Sequence, residues 1–260
     1  MHVHTEWSWD AERGSMERTC EKAIEIGLPA IAFTDHSDFV QVHKGQHRLD
    51  PLGYLECVER CRSRFPGLRI LSGVELGEPH LFRRQTREVL EAGKFDRILG
   101  SVHCIQVDGQ FVDASTRGLL RAHASERVRA FLNETLLMVE STAPFEVLAH
   151  LDYAKRYWPH ETVTYKEEDY EEEYRAVLRA AAKRGTVLEV NTTRGAEPHR
   201  GLCPGPKVIA WWADEGGDAV SFGSDSHEPS KIAAGFKEAA AMVEAAGFKP
   251  SPDPTAFWRR

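Results

Sequence analysis

Residues 29–36 read Pro-Ala-Ile-Ala-Phe-Thr-Asp-His, a short apolar run that ends in a carboxylate and an imidazole. The same design recurs at Arg69-Ile-Leu-Ser-Gly-Val-Glu75 and at Arg97-Ile-Leu-Gly-Ser-Val-His103. Continuous apolar runs of this length are typical of parallel strands covered by helices. A polar residue that closes such a strand lies at the carboxyl edge of the sheet, where α/β barrels form their active sites.

Seven such strands alternate with helical patterns along the chain. The strands are predicted at 2–6, 29–34, 69–75, 97–103, 146–150, 186–191 and 218–224. The helices are predicted at 15–27, 54–64, 80–92, 119–140, 166–184, 205–214 and 230–246. No Gly-rich dinucleotide fingerprint follows a strand, which argues against an open doubly wound sheet. No linker divides the chain, so the pattern predicts one domain over residues 1–260, an α/β fold with a closed or distorted barrel.

Composition narrows the classes of partner. The net charge of −7 argues against a nucleic-acid binder, which normally carries a basic face. The negative net charge does not exclude an anionic substrate, because bound metal ions would make the substrate site locally positive. No apolar run approaches the roughly 20 residues that span a bilayer, and no signal peptide is visible, so we expect a cytoplasmic protein without a membrane partner. The five cysteines show no metal-type pairing and are expected to be reduced.

Residues of metal-ligand type concentrate at the strand ends. A His-x-His pair on one strand turns both imidazoles to the same side, and Asp10 follows within reach of the same mouth. Two of the strand-end residues are carboxylates, and a buried unpaired charge is costly, so cations are the expected partners. Asp35 is a candidate for orienting a ligand imidazole. The whole set comprises His2 and His4 on the first strand and, closing later strands, His36, Glu75, His103, His150, Asp225 and His227.

Taken together, these motifs resemble the polymerase and histidinol phosphatase (PHP) superfamily. The resemblance rests on His2-x-His4, Asp10, Thr-Asp-His36, Gly73-x-Glu75, Ser101-x-His103, His150 and Gly-Ser-Asp225-Ser-His227. It implies a distorted (β/α)7 barrel, similar to a TIM barrel, with two or three divalent metal ions (Zn, Fe or Mn). It implies a first site of His2, His4, Glu75 and Asp225, a second that shares Glu75 with His103 and His150, and a third of Asp10, His36 and His227.

Within the superfamily, residues 101–103, 150–156 and 188–194 look most like histidinol-phosphatases. The resemblance therefore implies a phosphoric monoester hydrolase of histidine biosynthesis that converts L-histidinol phosphate to L-histidinol and phosphate. We expect attack by a metal-bridging hydroxide, with Glu75, Asp225 and His227 as the catalytic residues. Either Asp225 or His227 would protonate the leaving group. Arg194 and Arg156 are the candidates for binding the phosphate of a small phosphorylated substrate.

Three alternatives stay open on the sequence. One is an amidohydrolase, which shares the His-x-His start and the strand-terminal Asp. Another is a PHP phosphoesterase that acts on nucleotides or other phosphoesters. The third is a degenerate barrel kept as a structural module. The sequence does not indicate the oligomeric state, and the tail 251–260 is predicted either to pack on the barrel or to meet a partner.

Overall fold

The apolar runs form the strands of the sheet at the centre of the molecule. The computed structural model describes residues 2–40, 42, 47–116, 118–159, 164–193 and 200–260. Its strands are β1 (Ala30–Ser37), β2 (Arg69–Gly77), β3 (Arg97–Ser101), β4 (Cys104–Val107), β5 (Gln110–Asp113), β6 (Val147–Leu148), β7 (Val187–Asn191), β8 (Ala219–Gly223) and β9 (Trp258–Arg259). The main sheet has the order β1-β2-β3-β6-β7-β8-β9. Neighbouring strands in this sheet are parallel, except that β9 runs antiparallel to β8.

The N-terminal segment joins the two sides of this sheet. The backbone N–H of Thr34 in β1 donates to Val3 O at 2.9 Å. On the other side, His4 N donates to Ser226 O at 2.9 Å, just beyond β8. The sheet therefore curls into a distorted TIM-like barrel, as predicted. Residues 2–6 are not a regular strand, however, because the chain turns at once and Ser8 N donates to Thr5 O.

Within the residues that the structure describes, seven α-helices follow the predicted pattern with shifted ends. They are α1 (Met16–Glu25), α2 (Pro51–Arg64), α3 (Arg83–Glu91), α4 (Leu119–Glu140), α5 (Glu171–Arg184), α6 (Pro206–Asp214) and α7 (Phe236–Ala245). Ser15 caps α1 by accepting from Arg18 N, as the sequence indicated. Helix α5 begins later than predicted because Glu167–Tyr170 form a 3-10 turn. Helix α7 also begins late, after Gly235 with a φ of 77°.

Helix side chains fix the strands from outside the barrel. The buried Tyr54 of α2 donates its hydroxyl to Phe33 O in β1 at 2.9 Å. The hydroxyl oxygen of Tyr54 also accepts a hydrogen bond from Gly73 N in β2 at 3.0 Å. One tyrosine thus ties a helix to the two strands that carry His36 and Glu75. On the other half of the barrel, α4, α5 and α6 bury Phe131, Tyr174 and Trp212 in one large core cluster.

Three short strands of the described chain, β4, β5 and β9, were not predicted from the sequence. The antiparallel pair β4–β5 follows β3 directly. Strand β9 pairs with β8, so the C-terminal tail packs on the barrel. The Arg97 guanidinium lies over the Phe257 ring at 4.6 Å, and Trp258 meets Phe222 edge-on at 5.0 Å. All five cysteines are buried free thiols. Within the described ranges, no helix has the length and apolar character needed to cross a membrane.

Candidate metal centre

Strand register brings the predicted residues to one end of the barrel. The parallel pairing of β1 with β2 sets His36 directly beside Glu75. His103 follows β3 by two residues, and His150 follows β6 by two residues. Asp225 follows β8 by two residues, and its N–H donates to His2 O at 2.8 Å. The carboxyl ends of five strands and the N-terminal segment therefore share one buried site.

Glu75 lies at the centre of this cluster and has no exposed surface. Burial alone would raise the pKa of Glu75, but the histidines around it outweigh burial and hold the pKa well below its usual value. Its Oε2 lies 3.1 Å from His2 Nε2, 3.4 Å from His4 Nε2 and 3.1 Å from His36 Nδ1. Its Oε1 lies 3.2 Å from His103 Nε2 and 2.7 Å from His150 Nε2.

His2, His4 and Asp225 form one side of the cluster. The two Nε2 atoms of the histidines lie 3.0 Å apart, and Asp225 Oδ1 lies 2.9 Å from the His4 atom and 3.7 Å from the His2 atom. Asp225 adopts a φ of 48°, a left-handed conformation that a non-glycine residue adopts only when its surroundings enforce it. The structure therefore brings together the four residues implied for the first site.

Asp10, His36 and His227 meet at the outer rim. Asp10 Oδ2 lies 3.0 Å from His227 Nε2 and 3.7 Å from His36 Nε2. The ring of His4 stacks between the other two imidazoles, with centroids 4.1 Å from His36 and 4.3 Å from His227. His4 thus borders this group as well as the first one, which the sequence did not indicate.

The donor set fits divalent cations. Among the described residues, five groups of three side chains place their donor atoms within 4.8 Å of one another, and Glu75 belongs to two of them. Burial, together with His36 and His227, lowers the pKa of His4 to about 3, so its imidazole is neutral, the form that binds metals. Within the residues that the structure describes, buried His150 Nδ1 makes no hydrogen bond, and the 3.1 Å contact of His36 Nδ1 with Glu75 is an ion-pair contact without hydrogen-bond geometry. Imidazoles and carboxylates together suit Zn, Fe or Mn.

Three carboxylates that the sequence prediction missed surround the cluster. Glu189 Oε1 lies 2.7 Å from His2 Nδ1. Asp38 lies 3.4 Å from His103 Nδ1 and 3.6 Å from His36 Nδ1. Glu78 accepts the backbone N–H of His103 at 2.6 Å and of Cys104 at 2.9 Å. For Glu189 a signal existed, because a charge inside the apolar strand Val187–Asn191 needs a buried partner.

Asp35 orients a histidine, but through a serine. The Ser8 hydroxyl donates to Asp35 Oδ1 at 2.7 Å and lies 3.0 Å from His4 Nδ1. Because a hydroxyl has one proton, the serine oxygen must accept from His4 Nδ1–H. Asp35 also accepts from Thr5 N at 2.6 Å and from the Thr5 hydroxyl at 2.9 Å. The result is a His4 ring whose Nε2 lone pair faces the cluster.

A cavity of about 140 Å³ opens beside the outer rim. Arg156 reaches it from the 3-10 turn Tyr153–Tyr157 and donates from Nη1 to Asp225 Oδ2 at 2.6 Å. Thr193 also lines the cavity, at the end of the segment described after β7. Arg194, the other predicted phosphate-binding residue, lies outside the described residues. The cavity is lined by Asp10, His36, His103, Tyr153, Arg156, Tyr157, Thr193, Asp225 and His227.

Comparison with known proteins gives a consistent picture. The PHP domain family matches residues 1–193. The histidinol-phosphatase of Lactococcus lactis subsp. lactis is 27% identical over 255 residues, covering 95% of this chain and 90% of that protein. A probable histidinol-phosphatase of Clostridium acetobutylicum is 28% identical, covering 96% and 94%. The crystal structure of the histidinol phosphate phosphatase of L. lactis, complexed with zinc, L-histidinol and phosphate, has a TM-score of 0.85 at 25% identity and covers 95% of this chain and 93% of that one.

The chain belongs to the PHP domain family. The predicted distorted barrel and the predicted class, a phosphoric monoester hydrolase, are both confirmed. The family match ends at residue 193, so a single domain over residues 1–260 stays a prediction.

Proposed function

We propose that the chain hydrolyses L-histidinol phosphate to L-histidinol and phosphate, with two or three divalent metal ions held by the nine predicted ligands. The observation that carries this proposal is the buried Glu75, which five imidazoles surround within 3.4 Å at the mouth of a phosphatase-family barrel. The substrate is proposed because curated relatives that cover nearly the whole chain carry the name histidinol-phosphatase.

The proposed roles follow from the positions of the side chains. Bound divalent cations would supply charge neutralisation at the phosphoryl group and activation of water at neutral pH. Glu75 would be a ligand in both of the first two sites, because its two oxygens face different histidines. Arg156 would bind phosphoryl oxygens from the cavity wall, since a guanidinium matches phosphate with two parallel hydrogen bonds.

The leaving group needs a proton donor at the rim of the cavity. His227 lines the cavity and remains about one-third exposed. Asp225 lines the same cavity. From these positions His227 or Asp225 would protonate the alkoxide of the alcohol product, a role that needs the ester oxygen within hydrogen-bond reach.

A phosphate-release screen with the purified, metal-loaded chain tests the proposal. Substrates are histidinol phosphate, nucleoside monophosphates, a phosphate diester and p-nitrophenyl phosphate. We expect the highest kcat/KM on histidinol phosphate. A rate there no better than on p-nitrophenyl phosphate would overturn the substrate, and preference for a nucleotide would favour the alternative phosphoesterase. Metal analysis of the same sample should give two to three equivalents, whereas none would overturn the metal centre. A cytoplasmic location remains a prediction.

A further inference from the structure

Glu189 makes the shortest contact to the first histidine of the cluster. It is a residue of β7 with 1% of its surface exposed, and its Oε1 accepts from His2 Nδ1 at 2.7 Å. Its other oxygen, Oε2, accepts from His150 N at 2.9 Å and from Asn191 Nδ2 at 3.0 Å. A single buried carboxylate therefore contacts two residues that are predicted to bind different metal ions.

The contact decides which nitrogen of His2 is available. Both oxygens of the Glu189 carboxylate accept hydrogen bonds, so the proton of the 2.7 Å contact lies on His2 Nδ1. His2 Nε2 then faces the cluster, 3.1 Å from Glu75 and 3.0 Å from His4 Nε2.

Gly223 in β8 makes room for this contact. A Cβ at residue 223 would lie 2.0 Å from Glu189 Oε1 and 2.7 Å from His2 Cβ, closer than real atoms approach. Any side chain at this position would push Glu189 and His2 apart. The contact between Glu189 and His2 is therefore compatible only with a glycine at residue 223. This observation is independent of the hydrogen bonds that Glu189 accepts.

We propose that Glu189 is a positioning residue that holds the His2 imidazole with Nε2 turned towards the metal ions and aligns the His150 backbone with it. Asn191 extends the arrangement, because its Nδ2 also lies 3.3 Å from Asp225 Oδ2. The inference rests on the proposed metal centre. Partners of this kind fix the ring orientation of a ligand, and their loss typically lowers metal affinity 10- to 100-fold.

The test is a zinc titration of the metal-free full chain against a competing chelator, for wild type and Glu189→Gln. Glutamine keeps the size of the side chain, but it removes the negative charge and replaces one of the two acceptor oxygens with an NH₂ donor. If its oxygen faces His2, its NH₂ meets two other donors, and if it is turned round, His2 Nδ1 meets a donor. We expect Glu189→Gln to weaken at least one zinc equivalent by about 10- to 100-fold. Unchanged affinity in a folded variant would overturn the proposal.

Glu167→Gln is the matched control. Glu167 is also a buried carboxylate, and its Oε1 accepts from Lys155 Nζ and from Gly205 N, both at 2.8 Å, with no contact to the cluster histidines. We expect this variant to lower the melting temperature and to keep the wild-type zinc affinity. An equal loss of affinity in both variants would mean that Glu189 acts only through stability, and the positioning role would be wrong.

A second variant keeps the proposal testable if Glu189→Gln does not fold. Gly223→Ala changes no charge, yet it must separate Glu189 from His2. We expect the same loss of zinc affinity, and wild-type affinity in this variant would contradict the inference. Failure of the metal centre itself is distinct, because wild type would then bind no zinc at all.

Discussion

At the scale of single residues, Glu75 links the ionisation of the whole cluster. A fully buried carboxylate is costly unless opposite charge or cations compensate it. Five imidazoles within 3.4 Å supply that compensation when some of them are protonated, and divalent cations would supply it when they are neutral. One oxygen of Glu75 faces three of these histidines and the other faces two. The loss of Glu75 should therefore disturb both groups of ligands at once.

Glu75→Gln should abolish both metal retention and hydrolysis. The amide keeps the size of the side chain but loses its charge and one acceptor, so at least two of the predicted sites lose a ligand. Mutation of a residue that only contacts a metal ligand typically lowers metal affinity or activity 10- to 100-fold. Glu75 is itself a predicted ligand, so we expect kcat/KM to fall by more than about 100-fold. The measurements are metal content by elemental analysis and phosphate release. Glu172→Gln, on an exposed position of α5, is the control and should match wild type. Normal metal content in Glu75→Gln would contradict the prediction.

Arg156 should affect substrate binding more than turnover. We expect Arg156→Ala to raise KM by about 10- to 100-fold, since hydrogen bonds to charged groups contribute about 1.5–3 kcal/mol. Arg156→Lys should recover only part of this loss, because an ammonium lacks the planar fork of the guanidinium. Steady-state kinetics on the best substrate of the screen measure both. Unchanged KM in the alanine variant would remove Arg156 from the phosphate site.

At the scale of elements, strand register explains how much of the site was predictable. Residue types at strand ends were sufficient to predict His36, Glu75 and His103 as neighbours, because parallel strands end at the same edge. Asp38 was not predictable, since an aspartate one residue past β1 is also common on surfaces and only its distances to two imidazoles reveal its place. Strand β4 was missed because four residues in a hairpin give too short a pattern.

A substitution at Gly73 tests whether the close pairing of β1 with β2 keeps Glu75 in position. Gly73 lies in the middle of β2, and a Cβ there would meet Thr34 Cγ2 at 2.7 Å and Phe33 O at 2.8 Å. Gly73→Ala should therefore push β1 and β2 apart and destabilise the fold by about 1–3 kcal/mol. Glu75 lies two residues further on, so we also expect weaker metal binding. Thermal unfolding and zinc titration check both effects, with Gly67→Ala as the control because a Cβ there meets nothing within 4 Å. Wild-type stability would show that the strands adjust freely.

At the scale of the whole molecule, the site depends on closure of the barrel by residues that are far apart in the chain. His4 bonds to Ser226, and His2 meets Glu189, across nearly the full sequence. The sequence pattern predicted the barrel because six of the predicted strands are continuous apolar runs. It did not predict β9, since two residues are too short a segment to give a strand pattern, and their pairing with β8 depends on tertiary packing.

Metal removal should therefore destabilise the fold as a whole. The predicted ligands come from the N-terminal segment and from the ends of five strands, so bound cations would connect elements that separate on unfolding. A ligand that binds only the folded state stabilises it by about 4 kcal/mol when its concentration is about 1,000 times Kd. We expect a chelator to lower the melting temperature of wild type and added zinc to restore it. Glu75→Gln is the comparison, because it should melt at nearly the same temperature with and without zinc. If wild type also melted at one temperature under both conditions, the cations would not hold the barrel together.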